Sequence, residues 1–288
     1  MPGQSQRNVR RRSVLGGAGA VLASPRRARA VEPVTLGLTP VVVESDLVLL
    51  AAMEKELSAR IGAPVVLVKR RTYQEIMALL LAGQVTAAWI CGFPFVRHRD
   101  QISILAAPLY QGAPLYRSYF IAPADAPGGA VWQDFRGRMH AFSDPDSNSG
   151  WLVTTHLLAM AGTTPEAFFS RTFFTYGHRN VVRAVAAGLA DCGSVDGYVW
   201  DVLAEREPEL TARTRIVRRS ELLGFPPIAC LTASQTLPSV QALGAALASL
   251  PGDAAGRAVL GMLHLDGFAC VDASVYDTIA AKWRDLQR

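Results

Sequence analysis

Short runs of β-branched and apolar residues alternate along this chain with longer runs whose apolar residues recur at helical spacing. Val34–Leu38 and Val65–Lys69 have the character of strands, and Leu47–Ile61 has that of a helix. The alternation predicts an α/β protein whose sheet is mostly parallel and carries helices on its faces. The same pattern predicts further strands over 102–106, 118–122, 138–142, 172–176, 193–195 and 228–232, and helices over 151–161, 180–187, 198–205, 236–249, 253–263 and 272–286.

Two local signals place polar or exposed residues at the ends of these elements. Thr72 and Glu75 have the spacing of a capping box, which predicts a helix over 73–82. The apolar run 87–91 predicts a buried strand that leads into a loop at 92–94. Because open α/β sheets bind ligands at the carboxyl ends of their strands, this loop is a candidate binding region.

The order of elements suggests two lobes. A segment rich in Pro and Gly, 108–114, reads as a crossing from one lobe to the other. We therefore expect 31–112 and 226–288 to form lobe 1 and 113–225 to form lobe 2. Two chain crossings then make a hinge, and ligands bind preferentially in the cleft between such domains.

The first thirty residues have the composition of an export signal. Arg10, Arg11 and Arg12 precede a short stretch of small apolar residues, and no Asp or Glu occurs before Glu32. Adjacent arginines ahead of a weakly hydrophobic segment are typical of twin-arginine export. We expect 1–30 to be a leader and the rest of the chain to be periplasmic. A basic tail and an uncleaved anchor remain alternatives.

The leader accounts for the basic character of the chain. It holds seven of the 29 Lys and Arg and none of the 24 Asp and Glu, which leaves 22 basic against 24 acidic residues and a net charge near −2. Nucleic-acid binding therefore loses its electrostatic support. After the leader no apolar run approaches the roughly 20 residues that cross a bilayer, so we expect no membrane insertion of the mature chain.

The four cysteines show no metal-binding pattern. Cys91, Cys192, Cys230 and Cys270 include no CxxC pair. We therefore expect no metal site and no cofactor. In an oxidising compartment any two could form a disulfide, and the spacing does not choose the pair.

Polar residues follow the strand at 138–142. Ser147, Asn148 and Ser149 stand just ahead of the helix predicted at 151, followed by Gly150. Free backbone N–H groups and the positive end of a helix dipole form a site for anions, to which hydroxyl and amide groups add donors. An ordinary N-cap loop has the same composition, so both interpretations stay open.

The next two strands also end in polar residues. His178 follows the strand at 172–176, and Asp196 follows the strand at 193–195. His178 can donate to an anion, and Asp196 can accept a hydrogen bond from an oxyanion that carries a proton. The alternatives are a structural histidine and a helix N-cap.

Taken together, these motifs resemble the phosphonate/phosphite-type periplasmic solute-binding proteins of ABC transporters over nearly the whole chain after the leader. The residues that carry the resemblance are Phe142, Ser143, Asp144, Pro145, Ser147, Asn148, Ser149, Gly150, His178, Val181, Ala184, Val185, Gly188, Asp191, Val195, Asp196, Pro226 and Pro227. The resemblance implies a type II periplasmic binding protein, with two mixed-sheet α/β lobes, a two-strand hinge and the ligand in the cleft. It also implies that Tyr73 meets Ser147, Asn148, Ser149, His178 and Asp196 across that cleft.

Cys91 is a departure from the family pattern, because family members often place an aromatic hydroxyl in this part of the cleft. A thiol binds soft elements better than it binds phosphonate oxygens. An arsenite- or other oxyanion-binding protein that feeds a sensor histidine kinase is therefore an alternative, with Cys91 as ligand. A buried cysteine that acts as a small apolar residue is the other interpretation.

The leading hypothesis is a solute-binding protein that captures a small oxyanion such as a phosphonate, phosphite or phosphate. Its partner would be an ABC permease or the periplasmic domain of a sensor kinase. An enzyme that uses Cys91 or a serine with His178 belongs to a different class. Because the chain contains no GxSxG, HExxH or GxxxxGK[ST] motif, we expect no enzymatic activity.

Overall fold

The computed structural model describes residues 2–3, 32–39, 47–127 and 130–288. The predicted export signal over 1–30 lies, apart from residues 2–3, outside the described residues, and its assignment stays a prediction. Among the described helices, none combines the length and the apolar character needed to span a bilayer.

The described part of the chain contains thirteen strands and eleven α-helices. The strands are β1 (Val34–Leu38), β2 (Val65–Lys69), β3 (Ala87–Trp89), β4 (Ile102–Leu109), β5 (Leu115–Tyr116), β6 (Ser118–Pro123), β7 (Met139–Phe142), β8 (Arg171–Phe174), β9 (Cys192–Asp196), β10 (Thr214–Arg219), β11 (Leu223–Gly224), β12 (Ile228–Leu231) and β13 (Gly267–Ala269). The helices are α1 (Leu47–Ile61), α2 (Tyr73–Leu81), α3 (Gly92–Arg97), α4 (Val153–Met160), α5 (Pro165–Phe168), α6 (His178–Ala186), α7 (Gly197–Arg206), α8 (Pro208–Thr211), α9 (Pro238–Ser249), α10 (Ala254–Leu263) and α11 (Asp277–Asp285).

The strands form two main sheets, and both are mixed. The first has the order β13-β4-β12-β3-β1-β2 and the second has the order β10-β6-β9-β7-β8. Strand β1 is parallel to β2 and β3, and β7 is parallel to β8 and β9, whereas every pairing of β4, β6, β12 and β13 is antiparallel. The prediction of a mostly parallel sheet is therefore wrong. The reason is that β12 returns late in the chain and inserts between β3 and β4 in the opposite direction.

The chain passes between the two sheets through β5 and β11. These strands pair antiparallel, with Leu223 opposite Tyr116 and Gly224 opposite Leu115. The first sheet draws its strands from both ends of the described chain, and the second from its middle. Residues Glu32–Arg288 form one compact unit. The lobe boundaries at 112 and 226 stay predictions.

Several elements begin where the local sequence signals predict. The side chain of Thr72 accepts a hydrogen bond from the backbone N–H of Glu75, and the capping box at the start of α2 is complete.

The predicted loop at 92–94 is wrong, because these residues form the first turn of α3. Pro94 is compatible with that turn because a residue so near a helix start needs no N–H for the helical ladder.

The second half departs from the predicted helix starts at two places. Helix α6 begins at His178 rather than at residue 180. A π-helical turn over Asn148–Leu152 precedes α4. Such turns are rare and occur frequently at functional sites.

Aromatic side chains hold the second sheet against its helices. Phe120, Phe142, Phe168 and Phe169 lie together in a buried cluster. Full burial of one such ring contributes about 1.5–3 kcal/mol, so the cluster fixes β6 and β7 firmly. The loop that follows β7 therefore starts from a rigid position.

Candidate functional site

The loop after β7 presents a helix N-terminus with unused backbone donors. Ser147 occupies the N-cap, and its hydroxyl accepts a hydrogen bond from the Gly150 N–H at 3.0 Å. The first bond of the π-helical ladder runs from the Leu152 N–H to the Ser147 carbonyl at 3.0 Å. N–H groups ahead of this bond belong to the first turn, where a helix provides no carbonyl partners, so such a terminus can bind a ligand.

Three buried side chains at this terminus have unpaired polar atoms. Ser143 Oγ, Asn148 Oδ1 and Ser149 Oγ have no hydrogen-bond partner among the described residues, and all three residues are fully buried. An unpaired buried polar group costs about 1–3 kcal/mol, which makes such a cluster a strong indication of a ligand site. A Cβ atom on Gly150 would lie 1.7 Å from Ser143 Oγ, so only glycine fits here.

Cys91 contacts the same terminus from the first sheet. Its Sγ atom accepts a hydrogen bond from the Asn148 N–H at 3.2 Å. Burial raises the pKa of the thiol to about 12, so it is protonated at neutral pH. Asn148 also donates from Nδ2 to the Tyr116 hydroxyl at 2.9 Å, and Tyr116 lies on β5.

Tyr73, His178 and Asp196 form a chain of hydrogen bonds. The Asp196 N–H donates to His178 Nδ1 at 3.1 Å, and Tyr73 Oη lies 3.2 Å from His178 Nε2. Burial lowers the pKa of His178 to about 3, so the ring is neutral and its proton must sit on Nε2. Nε2 then donates to Tyr73 Oη, which leaves the hydroxyl proton of Tyr73 free to donate to a ligand oxygen.

Asp196 is a buried carboxyl at the start of α7. Its Oδ1 atom accepts a hydrogen bond from the Val199 N–H at 3.3 Å, as an N-cap does. Burial raises its pKa to about 8, and the backbone N–H groups of Val199 and Tyr198 oppose that shift in part. Near neutral pH this carboxyl can therefore hold a proton and exchange it with a bound group.

A second carboxyl, Asp144, ties the loop to the start of α2. It accepts hydrogen bonds from the Tyr73 N–H at 3.3 Å, from Gln74 Nε2 at 3.3 Å and from the Asp146 N–H at 2.8 Å. Burial raises its pKa. In the described residues, the hydrogen bonds to Asp144 and Asp196 come from neutral groups and none from Lys or Arg.

The positive field at this site comes from helix ends. Tyr73 is the first residue of α2, Ser147 caps the turn that leads into α4, His178 is the first residue of α6, and Asp196 caps α7. The short helix α3 begins directly after Cys91. Each N-terminus carries about half a positive charge, so their convergence favours an anion without a cationic side chain.

The structure brings all seven predicted site residues together, while their role as ligands stays a prediction. These residues are Tyr73, Cys91, Ser147, Asn148, Ser149, His178 and Asp196. Sequence reasoning missed Tyr116, because nothing local marks a tyrosine on a short crossing strand as part of a site. It also gave no role to Ser143 and Asp144, although both belong to the polar run after β7 that drew attention to its neighbours.

Further contacts join the elements of the two sheets beside this site. Arg97 Nη1 lies 2.6 Å from Asp146 Oδ1, and the rings of Phe93 and Trp151 stack with centroids 5.9 Å apart. These contacts hold the two sheets together beside the candidate site.

Among the described residues, the cysteines form neither a metal site nor a disulfide. Within the part of the chain that the structure describes, no group of three or more His, Cys, Asp and Glu residues is arranged to hold a metal ion. All four cysteines are free thiols, and Cys270 alone among them is exposed.

The fold, with buried polar residues gathered between two mixed sheets, defines a type II periplasmic binding protein. Residues 36–276 match the family described as ABC transporter, phosphonate, periplasmic substrate-binding protein. The chain belongs to this family. It is a family of transport proteins that bind solutes, and it is not an enzyme family.

Two solved structures share the fold. One is PhnD1 from Prochlorococcus marinus in complex with methylphosphonate, with a TM-score of 0.79, 17% identity, and coverage of 88% of this chain and 98% of that one. The other is a binding protein component of an ABC phosphonate transporter from Pseudomonas aeruginosa, with a TM-score of 0.79, 20% identity, and coverage of 88% and 87%. At these identities the likeness concerns the fold.

A curated relative is more similar in sequence. The phosphate-import protein PhnD of Mycolicibacterium smegmatis is 30% identical over 187 residues, which are 61% of this chain and 57% of that protein. The match thus spans somewhat more than half the length of the relative.

Proposed function

We propose that this protein captures a phosphorus oxyanion, that is a phosphonate, phosphite or phosphate, in the cleft between its two sheets and delivers it to an ABC permease outside the cytoplasm. Membership of the family supports the transport role. The observation that carries the choice of ligand is the set of unpaired buried atoms on Ser143, Asn148 and Ser149 at a helix N-terminus. A tetrahedral oxyanion offers several acceptor oxygens to the two serine hydroxyls, and Asn148 Oδ1 can accept a hydrogen bond from an oxygen that carries a proton.

Each donor has a defined part in binding. Ser149 supplies its hydroxyl and its N–H, and Tyr73 supplies the hydroxyl proton that His178 leaves free. Asn148 can present either its oxygen or, after an amide flip, its NH₂ group. Together they surround an anion from both sheets, so the ligand itself bridges the two halves.

Asp196 adds one shared proton to this arrangement. With a pKa near 8, its carboxyl donates to a bare ligand oxygen at neutral pH, or it accepts from a ligand P–OH group when ionised. A carboxylate facing a fully deprotonated oxyanion would repel it. Phosphonates, phosphite and phosphate can carry a proton and therefore fit both states of the carboxyl, whereas sulfate, which carries none at neutral pH, fits only the protonated state.

The protein makes and breaks no covalent bond in this proposal. Tyr73 and Cys91 come from elements on the first sheet, whereas His178 and Asp196 come from the second. A ligand that touches both sets stabilises the closed arrangement, and the permease then recognises that arrangement.

Isothermal titration of the purified protein with methylphosphonate, phosphite, phosphate, sulfate and arsenite tests this proposal. We expect binding of at least one phosphorus oxyanion, weaker binding of sulfate, and loss of affinity in Ser149→Ala. The matched control is Ser274→Ala, which alters a serine far along the chain from these residues. Absence of binding by every phosphorus oxyanion would contradict the proposal.

The arsenite arm separates uptake from metalloid sensing. Binding of arsenite alone, abolished in Cys91→Ala, would replace the proposed ligand and favour a sensor kinase as partner. The single protonated thiol at this site does not favour that outcome. Turnover of any ligand by the purified protein would revive the enzyme hypothesis.

A further inference from the structure

Among the described residues, no Lys or Arg side chain hydrogen-bonds to the groups of the candidate site. Its hydrogen bonds come from neutral donors, and it contains the carboxyls of Asp144 and Asp196. Beyond residue 30 the chain carries 22 basic and 24 acidic residues, so its overall charge does not attract anions either. The convergent helix ends act only within about the first turn of each helix, because that field falls off quickly. An approaching anion therefore needs attraction from elsewhere on the surface.

Three adjacent cationic residues lie at the end of β2. Lys69, Arg70 and Arg71 are all exposed and directly precede Thr72, the N-cap of α2. None of the three forms an ion pair with a carboxylate in the described residues. The guanidinium of Arg70 donates to the Lys69 carbonyl, a neutral acceptor, at 2.8 Å.

This cluster is close to the ligand donors. Arg71 stands two residues before Tyr73, and two residues of extended chain span at most about 7 Å. Tyr73 is fully buried and reaches His178, whereas Arg71 is in solvent, so the chain passes here from the surface into the site. That distance is shorter than the Debye length of about 8 Å at physiological ionic strength.

Charges on nearby elements, as far as the structure describes them, leave the three residues with a net positive charge. Glu75 is the nearest acid along the chain, and its carboxylate accepts the backbone N–H groups of Arg71 and Thr72 at 3.0 Å each. Its negative charge also interacts with Arg70 and offsets one of the three positive charges. Arg97 is paired with Asp146 at 2.6 Å, and Arg179 is paired with Glu207 at 2.6 Å. The charges of Arg97 and Arg179 are thus neutralised by carboxylate partners.

We propose that Lys69, Arg70 and Arg71 form an electrostatic entry ramp that raises the rate at which an oxyanion associates with the cleft. The inference rests on the proposed function and concerns the approach of the ligand, while the bound ligand is held by other residues. Local charge of one sign at a cleft raises association rates by about 10-fold to 10³-fold, and the effect falls steeply with ionic strength. Neutralising the ramp therefore lowers the association rate constant and leaves the dissociation rate constant unchanged.

Stopped-flow fluorescence measures both constants, because Trp151 lies on the turn that carries Ser149. The variant is Lys69→Gln/Arg70→Gln/Arg71→Gln, with methylphosphonate, phosphite and phosphate as probes. The matched control removes the same charge at three exposed positions on other elements, as Lys55→Gln/Arg213→Gln/Arg284→Gln. We expect the association rate constant to fall by about 10-fold in the first variant at low salt and to change little in the control. Near 1 M salt, the unmodified protein and both variants should have the same association rate constant.

Equal slowing of association in both variants, or no slowing in either, would contradict the proposed role of the entry ramp. Normal association of the ligand combined with a loss of permease-dependent uptake would also overturn it, and would assign the three cations to an acidic surface of the membrane partner. If the unmodified protein binds none of the probes, the proposed function fails first. That result is distinct from normal binding with unaltered kinetics in the ramp variant.

Discussion

Tyr73 Oη and His178 Nε2 lie 3.2 Å apart, and this hydrogen bond joins a helix of the first sheet to a helix of the second. The direction of the bond is fixed from the other side of the ring, because the Asp196 N–H donates to Nδ1. One backbone amide on β9 thus decides that Tyr73 keeps a free proton. The closed arrangement and the donor capacity of the site depend on the same three residues.

Replacement of Tyr73 by Phe removes a hydroxyl that joins the two sheets at the candidate site. We expect the affinity for the bound oxyanion to fall by about 5- to 10-fold, equivalent to one hydrogen bond of about 1–1.5 kcal/mol. Isothermal titration measures the change. Tyr176→Phe is the control, because Tyr176 is exposed and outside the cluster. Unchanged affinity in Tyr73→Phe would show that this hydroxyl serves packing alone.

Ser147 and Ser149 are two residues apart and have different tasks. The Ser147 hydroxyl caps the helix turn, so Ser147→Ala is expected to lower the free energy of unfolding by about 1 kcal/mol. The Ser149 hydroxyl has no partner in the described residues, so Ser149→Ala should leave the stability unchanged or higher and reduce ligand affinity. Urea unfolding paired with titration distinguishes them. The same loss of stability in both variants would refute this division.

The buried histidines predict a loss of stability in acid. Burial lowers the pKa of His140 and of His178 from 6.5 to about 3, so the unfolded chain binds more protons than the folded protein between these pH values. The free energy of unfolding should therefore fall as the pH falls from about 6.5 toward 3. Urea unfolding at a series of pH values measures this slope. His140→Gln should flatten it, and an unaltered slope in that variant would contradict the assignment.

Asp196 acts in the opposite direction. Burial raises its pKa from 3.8 to about 8, so the folded protein binds the extra proton in this range, and the contribution to stability is lost as the pH rises from about 4 to 8. The unmodified protein should therefore lose stability relative to Asp196→Asn, which does not titrate, as the pH rises over this range. Oxyanion affinity should also fall above pH 8, where the carboxylate repels the ligand. A difference independent of pH would show that Asp196 stays ionised in the folded protein.

Thiol labelling reports on closure of the cleft. Cys270 is exposed and should react at once with a thiol reagent, whereas Cys91 is buried and its thiol has a raised pKa. We expect Cys91 to react slowly and more slowly still with a bound oxyanion, because the ligand stabilises the closed form. Mass spectrometry of the labelled protein identifies each site, and Cys91→Ala is the control. Labelling of Cys91 that ligand leaves unchanged would mean that its burial does not depend on closure.

Much of the local structure follows from the sequence because it depends on neighbours along the chain. The capping box at Thr72 is an interaction over three residues, and the start of α2 was predicted from it correctly. The start of α6 was missed by two residues, because His178 has no local signal that separates a loop residue from the first residue of a helix. The loop predicted at 92–94 failed for a similar reason, since Pro94 reads as a helix breaker although it is tolerated in a first turn.

The sequence by itself determined the α/β class, the family and the presence of polar residues at successive strand ends. Only the tertiary structure decided that Tyr116 contacts Asn148, that Cys91 accepts the Asn148 N–H, and that His178 holds its proton on Nε2. Periodicity and capping act over a few residues, so the sequence displays them directly. Burial, hydrogen-bond direction and the convergence of helix ends depend on residues far apart in the chain, and they exist only once the two sheets are placed against each other.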